Sequence, residues 1–224
     1  MGRISMVLFD LAGTTVHDDP AGVRDSLYEA AREHGLETTP EEILHHMGMN
    51  KIHLYQFLIA RSRGTSITIE DFEKIKAEET YDEAFTVFKR YTELMIDYYR
   101  REVREVPGAE DTFRWLHEHG IKVATDTGFH RDISNAIMDG LGWVRRGLVD
   151  CAVDVEHIAG QVGRPAPFMI YHAMTQLNVQ SIHEVIKVGD TPADMLEGHN
   201  AGCIGIVGVL SGVPPVESWG KFRH

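Results

Sequence analysis

The sequence contains only two cysteines among its 224 residues, so a disulfide framework cannot hold the fold together. Cys151 and Cys203 are far apart in the chain, and each is flanked by apolar residues. We therefore predict two buried free thiols, which suits a protein of the reducing cytoplasm.

The sequence also lacks a long hydrophobic run and an excess of positive charge. No stretch of about 18 apolar residues is present, so we expect no membrane-spanning helix. The apolar run near the N-terminus is interrupted at Asp10 and predicts a strand rather than a signal peptide. Acidic residues outnumber lysine and arginine by 34 to 22, which argues against a nucleic-acid partner. A small anionic substrate would then need a locally positive pocket or a metal ion.

Short apolar segments alternate with helical segments over much of the chain, a pattern typical of a parallel, doubly wound α/β sheet. The predicted strands are 4–9, 121–124, 149–153, 184–188 and 203–207. A long stretch of helical patterning separates the first strand from the second. We therefore predict an α/β core formed by residues 1–16 and 105–224, with an inserted α-helical cap domain at 17–104.

Polar clusters follow the apolar segments at four places, where the carboxyl ends of parallel strands would meet and bind a ligand. The clusters are Asp10-Leu11-Ala12-Gly13-Thr14, Asp126-Thr127-Gly128, Gly163-Arg164-Pro165 and Gly189-Asp190-Thr191-Pro192-Ala193-Asp194. A carboxylate after a strand is often a turn or helix-cap residue, but four clusters in this order are hard to assign to chance. Together they offer three carboxylates, a hydroxyl and an arginine.

This set of side chains suits phosphorus chemistry. Magnesium (Mg2+) binds a few carboxylates together with substrate oxygens and water, and it would offset the repulsion between a phosphoryl group and an attacking carboxylate. Arginine holds phosphoryl oxygens in a fork. An aspartate such as Asp10 can then attack phosphorus to form an acyl phosphate, which water resolves.

The four clusters resemble the four motifs of the haloacid dehalogenase (HAD) superfamily and span essentially the whole predicted core. Two positions depart from the usual motifs. Ala12 replaces the second aspartate of the first motif, a general acid/base, and Arg164 replaces the lysine of the third motif. Both departures, and the segment IKVGDTPADMLEGHNAG at 186–202, resemble the phosphonoacetaldehyde hydrolase (phosphonatase) branch of the superfamily.

The alanine at position 12 also has a direct chemical meaning. A phosphate-ester hydrolase must protonate a leaving alkoxide, and general acid catalysis contributes about 10²–10⁴-fold to such a step. A carbon leaving group instead needs an electron sink, which an imine between a lysine and an aldehyde provides.

The lysine for such an imine is expected in the cap. The segment Met47-Gly48-Met49-Asn50-Lys51 resembles the Schiff-base segment of phosphonatases, so Lys51 is the predicted imine-forming lysine. Imine formation requires a neutral amine, so we predict that burial or nearby positive charge lowers the pKa of Lys51. Other lysines of the predicted cap, with a surface role as the default, are Lys74, Lys76 and Lys89.

The resemblance also implies which residues contact the substrate. Thr127 and Arg164 would bind phosphoryl oxygens, and Gly128 and Thr14 would contribute to substrate binding. Met47 would pack near the reactive lysine.

The resemblance implies a magnesium site at the same place. The Asp10 carboxylate, the backbone carbonyl of Ala12 and Asp190 would ligate Mg2+. Asp194 would support the metal site, in part through water.

Three positions depart from the phosphonatase pattern. His53 follows Ile52 where these enzymes commonly carry aspartate and then histidine, Phe129 replaces a tyrosine, and Asp126 replaces a small hydroxyl residue. These changes alter what surrounds the aldehyde end of the substrate. A substituted relative such as 1-hydroxy-2-oxoethylphosphonate is therefore a candidate substrate beside phosphonoacetaldehyde.

Two other functions stay open from the sequence. One is a phosphatase of the same superfamily that acts on a small phosphate monoester and uses a different general acid, for which His17 is a candidate. The other is a non-catalytic HAD-fold binding protein, although a binding protein has no reason to retain the full set of motif side chains.

A stripe of aromatic and apolar residues at helical spacing runs along the last predicted cap helix. Its members are Tyr81, Phe85, Phe88, Tyr91 and Met95. The spacing predicts either a packing face or a dimer seam. Because related phosphonatases pair through their caps, the resemblance favours a homodimer.

Overall fold

The computed structural model of the chain describes residues 3–18, 22–46, 50–65 and 80–212. The chain divides into two compact units. One unit comprises Met1–Asp18 and Tyr99–His224, and the other comprises Asp19–Tyr98. We refer to them as the α/β unit and the helical unit.

The α/β unit is built on one sheet of five parallel strands. The strands are β1 (Met6–Asp10), β2 (Lys122–Thr127), β3 (Cys151–Asp154), β4 (Val185–Gly189) and β5 (Gly205–Gly208). Their order in the sheet is β3-β2-β1-β4-β5, so β1 lies at the centre and all five of its residues are buried. A strand buried on both faces needs apolar residues at almost every position, which explains the unbroken sequence Met-Val-Leu-Phe. The predicted parallel, doubly wound sheet is confirmed.

The described residues form α-helices in both units. The helices are α1 (Val23–Glu33), α2 (Pro40–His45), α3 (Lys51–Ser62), α4 (Tyr81–Arg101), α5 (Ala109–Glu118), α6 (Arg131–Leu141), α7 (Phe168–Gln176) and α8 (Pro192–Ala201). Thr191 caps α8 by accepting a hydrogen bond from the backbone N–H of Asp194, and Pro192 takes the first helical position.

Both faces of the central strand β1 are covered. On one face, Met6 and Leu8 of β1 share a core cluster with Met169 of α7. On the other face, the Phe9 ring lies 5.2 Å from the ring of Phe113 in α5. Because successive side chains of a strand point to opposite faces, these contacts define helix, sheet and helix layers.

The helical unit has its own core. The hydroxyl group of Tyr55 in α3 donates a hydrogen bond to the backbone oxygen of Leu27 in α1, and both residues are buried. In the stripe on α4, Tyr91 and Met95 are buried in this core, whereas Tyr81 is exposed. Packing therefore explains the buried end of the stripe, and the homodimer stays a prediction.

Two expectations about cysteine and membranes can be checked directly. Cys151 and Cys203 are free thiols, as predicted, but they are only partly buried. In the described part of the chain, no helix has the length and hydropathy needed to cross a membrane.

Candidate active site

A tight loop holds the first cluster directly after β1. The backbone N–H groups of Thr14 and Thr15 both donate to the carbonyl oxygen of Leu11, and the Thr15 hydroxyl donates to the backbone oxygen of Asp10 at 2.8 Å. Gly13 adopts a φ of +89°, a left-handed conformation that residues with a Cβ rarely adopt. The loop thus fixes the backbone around Asp10, which is 4% exposed.

Strand register brings three carboxylates together. Asp10 and Asp126 are paired across β1 and β2, so their side chains point to the same face of the sheet. Gly189 ends β4, and a Cβ built there would lie 2.3 Å from the Cβ of Asp194. Because Gly189 has no side chain, the Asp194 side chain can occupy this space. Carboxylate oxygens of Asp10, Asp126 and Asp194 all lie within 4.8 Å of one another.

The Asp190 carboxylate packs against the backbone of the first loop. The Thr14 hydroxyl donates to Asp190 Oδ1 at 3.1 Å. A Cβ at Gly13 would lie 2.4 Å from Asp190 Oδ2, and one at Gly212 would lie 1.8 Å from it. The Ser211 hydroxyl donates to the Gly13 backbone oxygen at 2.7 Å. Residues after β5 therefore help to hold Asp190, a contribution that the sequence motifs did not indicate.

Arg164 joins two of these carboxylates. Its Nη2 atom lies 2.7 Å from Asp10 Oδ1, and its Nη1 atom forms a close ion pair with Asp194 Oδ1. The Arg164 side chain is only 13% exposed. The guanidinium predicted to bind phosphoryl oxygens thus lies against the predicted nucleophile.

Burial and crowding of like charges shift the pKa values of the site. Burial, with a smaller contribution from repulsion by Asp194 and Asp190, raises the pKa of Asp10 well above its usual value despite Arg164. Burial and then repulsion from Asp194 raise the pKa of Asp190 to about 6. Burial acts in the same direction on Asp194, but Arg164 and then Lys187 hold the pKa of Asp194 at about 2.

Lys187 is a buried cation beside these carboxylates that was not singled out from the sequence. It lies in the middle of β4 and is fully buried, with its Nζ atom 2.5 Å from Asp126 Oδ1 and 3.0 Å from Glu197 Oε2. Burial acts to lower the pKa of Lys187, but Asp126 and the other carboxylates raise it above its usual range. Burial, followed by repulsion from Asp126, raises the pKa of Glu197 to about 9. The signal in the sequence was a lysine inside an apolar strand.

The end of β2 supplies the predicted hydroxyl group. Thr127 is its last residue and is buried, and its Oγ1 atom accepts a hydrogen bond from the backbone N–H of Phe129 at 3.1 Å. A Cβ built on Gly128 would meet no atom of the described residues within 4 Å. The turn after β2 therefore combines a fixed hydroxyl with open space beside it.

Lys51 lies in the helical unit, as the first residue of α3. The Asn50 side chain caps this helix by accepting hydrogen bonds from the backbone N–H groups of Ile52 and His53. Lys51 is partly buried. Met47, the predicted neighbour of this lysine, lies outside the described residues.

Three further positions that the sequence raised are placed as follows. Ala12 is partly buried in the loop after β1. Phe129 lies with its ring centroid 6.3 Å from that of Tyr99. His17 is exposed, and its backbone N–H donates to the backbone oxygen of Arg104 at 2.9 Å.

The chain matches one protein family and is similar to proteins of known name. Residues 4–202 match the model of a hydrolase family, described as haloacid dehalogenase-like hydrolase. A phosphonoacetaldehyde hydrolase of Bacillus mycoides is 30% identical over 210 residues, which cover 94% of this chain and 77% of that protein.

Solved structures resemble the fold. A putative haloacid dehalogenase-like hydrolase from Bacteroides fragilis matches with a TM-score of 0.74 at 20% identity, over 98% of this chain and 93% of that one. A phosphonoacetaldehyde hydrolase-like protein from Oleispira antarctica matches with a TM-score of 0.70 at 24% identity, over 94% and 74% of the two chains. At these identities the matches support the fold.

Proposed function

Because the chain belongs to the haloacid dehalogenase-like hydrolase family, we propose that it cleaves the C–P bond of phosphonoacetaldehyde or of a close 2-oxoethylphosphonate. In this proposal Asp10 is the nucleophile, Lys51 forms a Schiff base with the aldehyde, and Mg2+ is required. Relatives named phosphonoacetaldehyde hydrolase support the choice of substrate class.

The proposed reaction forms covalent intermediates at two residues, Lys51 and Asp10. The Lys51 amine condenses with the aldehyde, with loss of water, to a protonated imine. An Asp10 oxygen bonds to phosphorus while the C–P bond breaks, and the electron pair of that bond enters the imine to give an enamine. Protonation of the enamine carbon by solvent and hydrolysis of the imine release acetaldehyde and Lys51. Water then hydrolyses the aspartyl phosphate to phosphate and Asp10.

The observation that carries this proposal is the alanine two residues after the nucleophile. Hydrolysis of a phosphate ester requires an acid that protonates the leaving oxygen, and Ala12 has no group that can donate a proton. Cleavage of a C–P bond with an imine as the electron sink requires no acid at this position. The methyl group is therefore compatible with a carbon leaving group.

The carboxylates at the ends of the strands support a magnesium site, because oxygens of Asp10, Asp126 and Asp194 lie within 4.8 Å of one another. Asp10 and Asp190 are buried carboxylates whose pKa values are raised by burial and by repulsion from Asp194, so a cation among them would relieve that repulsion. Asp10, Asp190 and the Ala12 carbonyl would hold the ion, with Asp194 in support. Bound Mg2+ would offset negative charge on the phosphoryl group as Asp10 approaches.

The position of Lys51 supports its proposed role. The amino end of a helix carries partial positive charge, which disfavours a cationic side chain there. Lys51 begins α3 and is partly buried. The lowered pKa that imine formation requires stays a prediction. We propose that the helical unit acts as the cap, with residues 17–104 as the insertion.

The test uses phosphonoacetaldehyde with Mg2+, with separate assays for phosphate and acetaldehyde and with borohydride added to a parallel sample. We expect both products and a reduced adduct that mass spectrometry maps to Lys51. Lys51→Ala should abolish turnover and the adduct. Lys89→Ala, which changes an exposed lysine of the helical unit, should alter neither. Asp10→Asn should lower turnover by about 10⁴-fold or more.

Other outcomes separate the alternative functions. An adduct with little turnover would indicate a substituted substrate such as 1-hydroxy-2-oxoethylphosphonate. Turnover of an aryl phosphate that survives Lys51→Ala would contradict the C–P proposal and favour a phosphatase. Ligand binding without any turnover, unchanged in Asp10→Asn, would favour a binding protein.

A further inference from the structure

Lys187 lies on the same face of the sheet as the active-site carboxylates, closer to the amino ends of the strands. In the sheet, Leu8 of β1 is paired with Lys187 of β4, and Asp10 follows Leu8 by two residues. Side chains two residues apart point to the same face of a strand. The Lys187 side chain therefore shares a face with Asp10 and Asp126, one row closer to the amino end of the sheet.

The fold makes room for this lysine where an apolar residue would be expected. A Cβ built on Gly198 of α8 would lie 3.0 Å from the Cβ of Lys187 and 3.1 Å from Cγ1 of Ile206. The glycine thus lets the lysine stem pass between sheet and helix. Desolvating a charge is costly, and replacing a buried ion pair by apolar residues is often neutral or stabilising. Stability alone therefore does not explain a cation at this position.

The contacts of Lys187 lead to the nucleophile through two side chains. Its Nζ atom lies 3.3 Å from Asp194 Oδ1, and this same oxygen forms the close ion pair with Arg164. The other end of the Arg164 guanidinium contacts Asp10 Oδ1 at 2.7 Å. The order of contacts is thus Lys187, Asp194, Arg164, Asp10.

We propose that Lys187 is a positioning residue for this site. Its ammonium group holds the Asp194 carboxylate in one orientation, and that orientation determines where Arg164 meets Asp10. The proposal rests on Asp10 being the nucleophile of the proposed function, but not on which phosphonate is the substrate. Without Lys187, Asp194 and Arg164 would take other orientations, and Asp10 would lose its fixed geometry.

The test compares Lys187→Met, which keeps an unbranched side chain and removes its ammonium group, with Lys187→Arg, which keeps a cation. Lys122→Met is the matched control, because Lys122 is an exposed lysine of strand β2 in the same sheet. We expect kcat of Lys187→Met to fall by about 10- to 100-fold, with KM much less affected. Lys187→Arg should recover a large part of that loss, and Lys122→Met should match the wild type.

A second readout does not depend on the organic substrate. Beryllium fluoride with Mg2+ forms a carboxylate complex that mimics an aspartyl phosphate, and 19F NMR reports its binding. We expect Lys187→Met to weaken this binding by about 10-fold or more. If the wild type binds beryllium fluoride but does not turn over phosphonoacetaldehyde, the proposed substrate fails and the role of Lys187 is still decided by this assay.

Several results would overturn the proposal. One is a Lys187→Met variant whose kcat and beryllium fluoride affinity equal those of the wild type. Another is an equal loss of kcat in Lys187→Met and Lys187→Arg, which would indicate a packing defect. If Lys187→Met does not fold, Gly198→Ala decides, because it crowds the lysine stem and keeps the charge. A lowered kcat in folded Gly198→Ala supports positioning by Lys187, and an unchanged kcat contradicts it.

Discussion

An ion-pair network of the α/β unit and one of the helical unit lie in opposite environments. In the α/β unit, the Asp194 and Lys187 side chains are fully buried and the Arg164 side chain is 13% exposed. In the helical unit, the Arg90–Glu33 pair that joins α4 to α1 has side-chain exposures of 35% and 33%. Both sets are ion pairs between a carboxylate and a basic side chain, but only the pair in the helical unit is substantially exposed to solvent.

The pKa shifts show what this difference means. Burial is the largest influence on Asp190 and raises its pKa to about 6, so the ionised form of Asp190 is disfavoured where it lies. The pKa of Glu33 is lowered, chiefly by its hydrogen bond with Arg90, so its charge is favoured where it lies. Exposed pairs stabilise a fold slightly, whereas crowded buried carboxylates are typical of sites that bind ions or perform chemistry. The comparison therefore supports the proposed site for the nucleophile and the metal ion at the end of the sheet in the α/β unit.

The largest expected effect comes from disturbing a buried carboxylate without changing any charge. In Gly212→Ala the new methyl carbon would lie 1.8 Å from Asp190 Oδ2, so the Asp190 carboxylate must move. We expect the affinity for Mg2+, measured by calorimetry, to fall by about 10- to 100-fold. Gly205→Ala is the control, because its methyl carbon would approach Ile186 no closer than 3.3 Å and should leave this affinity unchanged. Equal affinities in both variants would remove Asp190 from the metal site.

An intermediate effect is expected at Glu110 of the α/β unit, whose side chain is more exposed than Asp194 and less exposed than Glu33. Its side chain is 15% exposed and accepts hydrogen bonds from Arg146, Trp143 and Arg114. The hydrogen bond with Arg146 is the largest influence and lowers the pKa of Glu110 to about 2. Because the folded-state pKa lies below the usual value of 4.5, the stabilisation is present above pH 4.5 and is lost as the pH falls towards 2.

Glu110→Gln tests this dependence in urea unfolding experiments. We expect a loss of about 1 kcal/mol in the free energy of unfolding at pH 7, because the two arginine partners, Arg146 and Arg114, are 43% and 47% exposed. The difference from the wild type should shrink at pH 3. Asp139→Asn, which changes an exposed residue of α6, serves as the control. A difference that is the same at both pH values would show that hydrogen bonding, rather than charge, stabilises this cluster.

The contrast between buried and exposed residues also explains how much of the fold could be predicted from the sequence. Local apolar runs and glycine turns predicted the strands of the sheet, because a buried parallel strand leaves a clear pattern in a short segment. The bounds were less accurate. The strand predicted at 121–124 extends to Thr127, since pairing with β3 continues through polar residues whose burial the local pattern does not show. The strand predicted at 203–207 is Gly205–Gly208, because its pairing with β4 begins at Gly205 and continues to Gly208.

The candidate site was predictable where side chains follow strand ends. Asp10, Arg164 and Asp194 lie together, as their positions after predicted strands indicated. Lys187 and Glu197 were not singled out, because their meeting depends on strand register and on the face that α8 presents to the sheet. Strand register and the orientation of a helix on the sheet cannot be predicted from a local sequence pattern. The buried charge network was therefore a part of the site that the sequence did not indicate.

The smallest effect is expected where an ion pair lies on the surface of the helical unit. Arg90 contacts both oxygens of Glu33, at 2.6 and 3.1 Å, and also contacts Glu93 at 3.0 Å. Despite this geometry, we expect Arg90→Met to cost only about 0.5–1 kcal/mol of unfolding free energy, and less in 1 M salt, because solvent and ions screen the charges. Arg32→Met, which breaks a pair with Glu29 within α1, should cost less still. Urea unfolding at low and high salt measures both. A salt-independent loss of about 3 kcal/mol or more at Arg90 would mean that this pair behaves like a buried one, and the contrast between the two units would no longer hold.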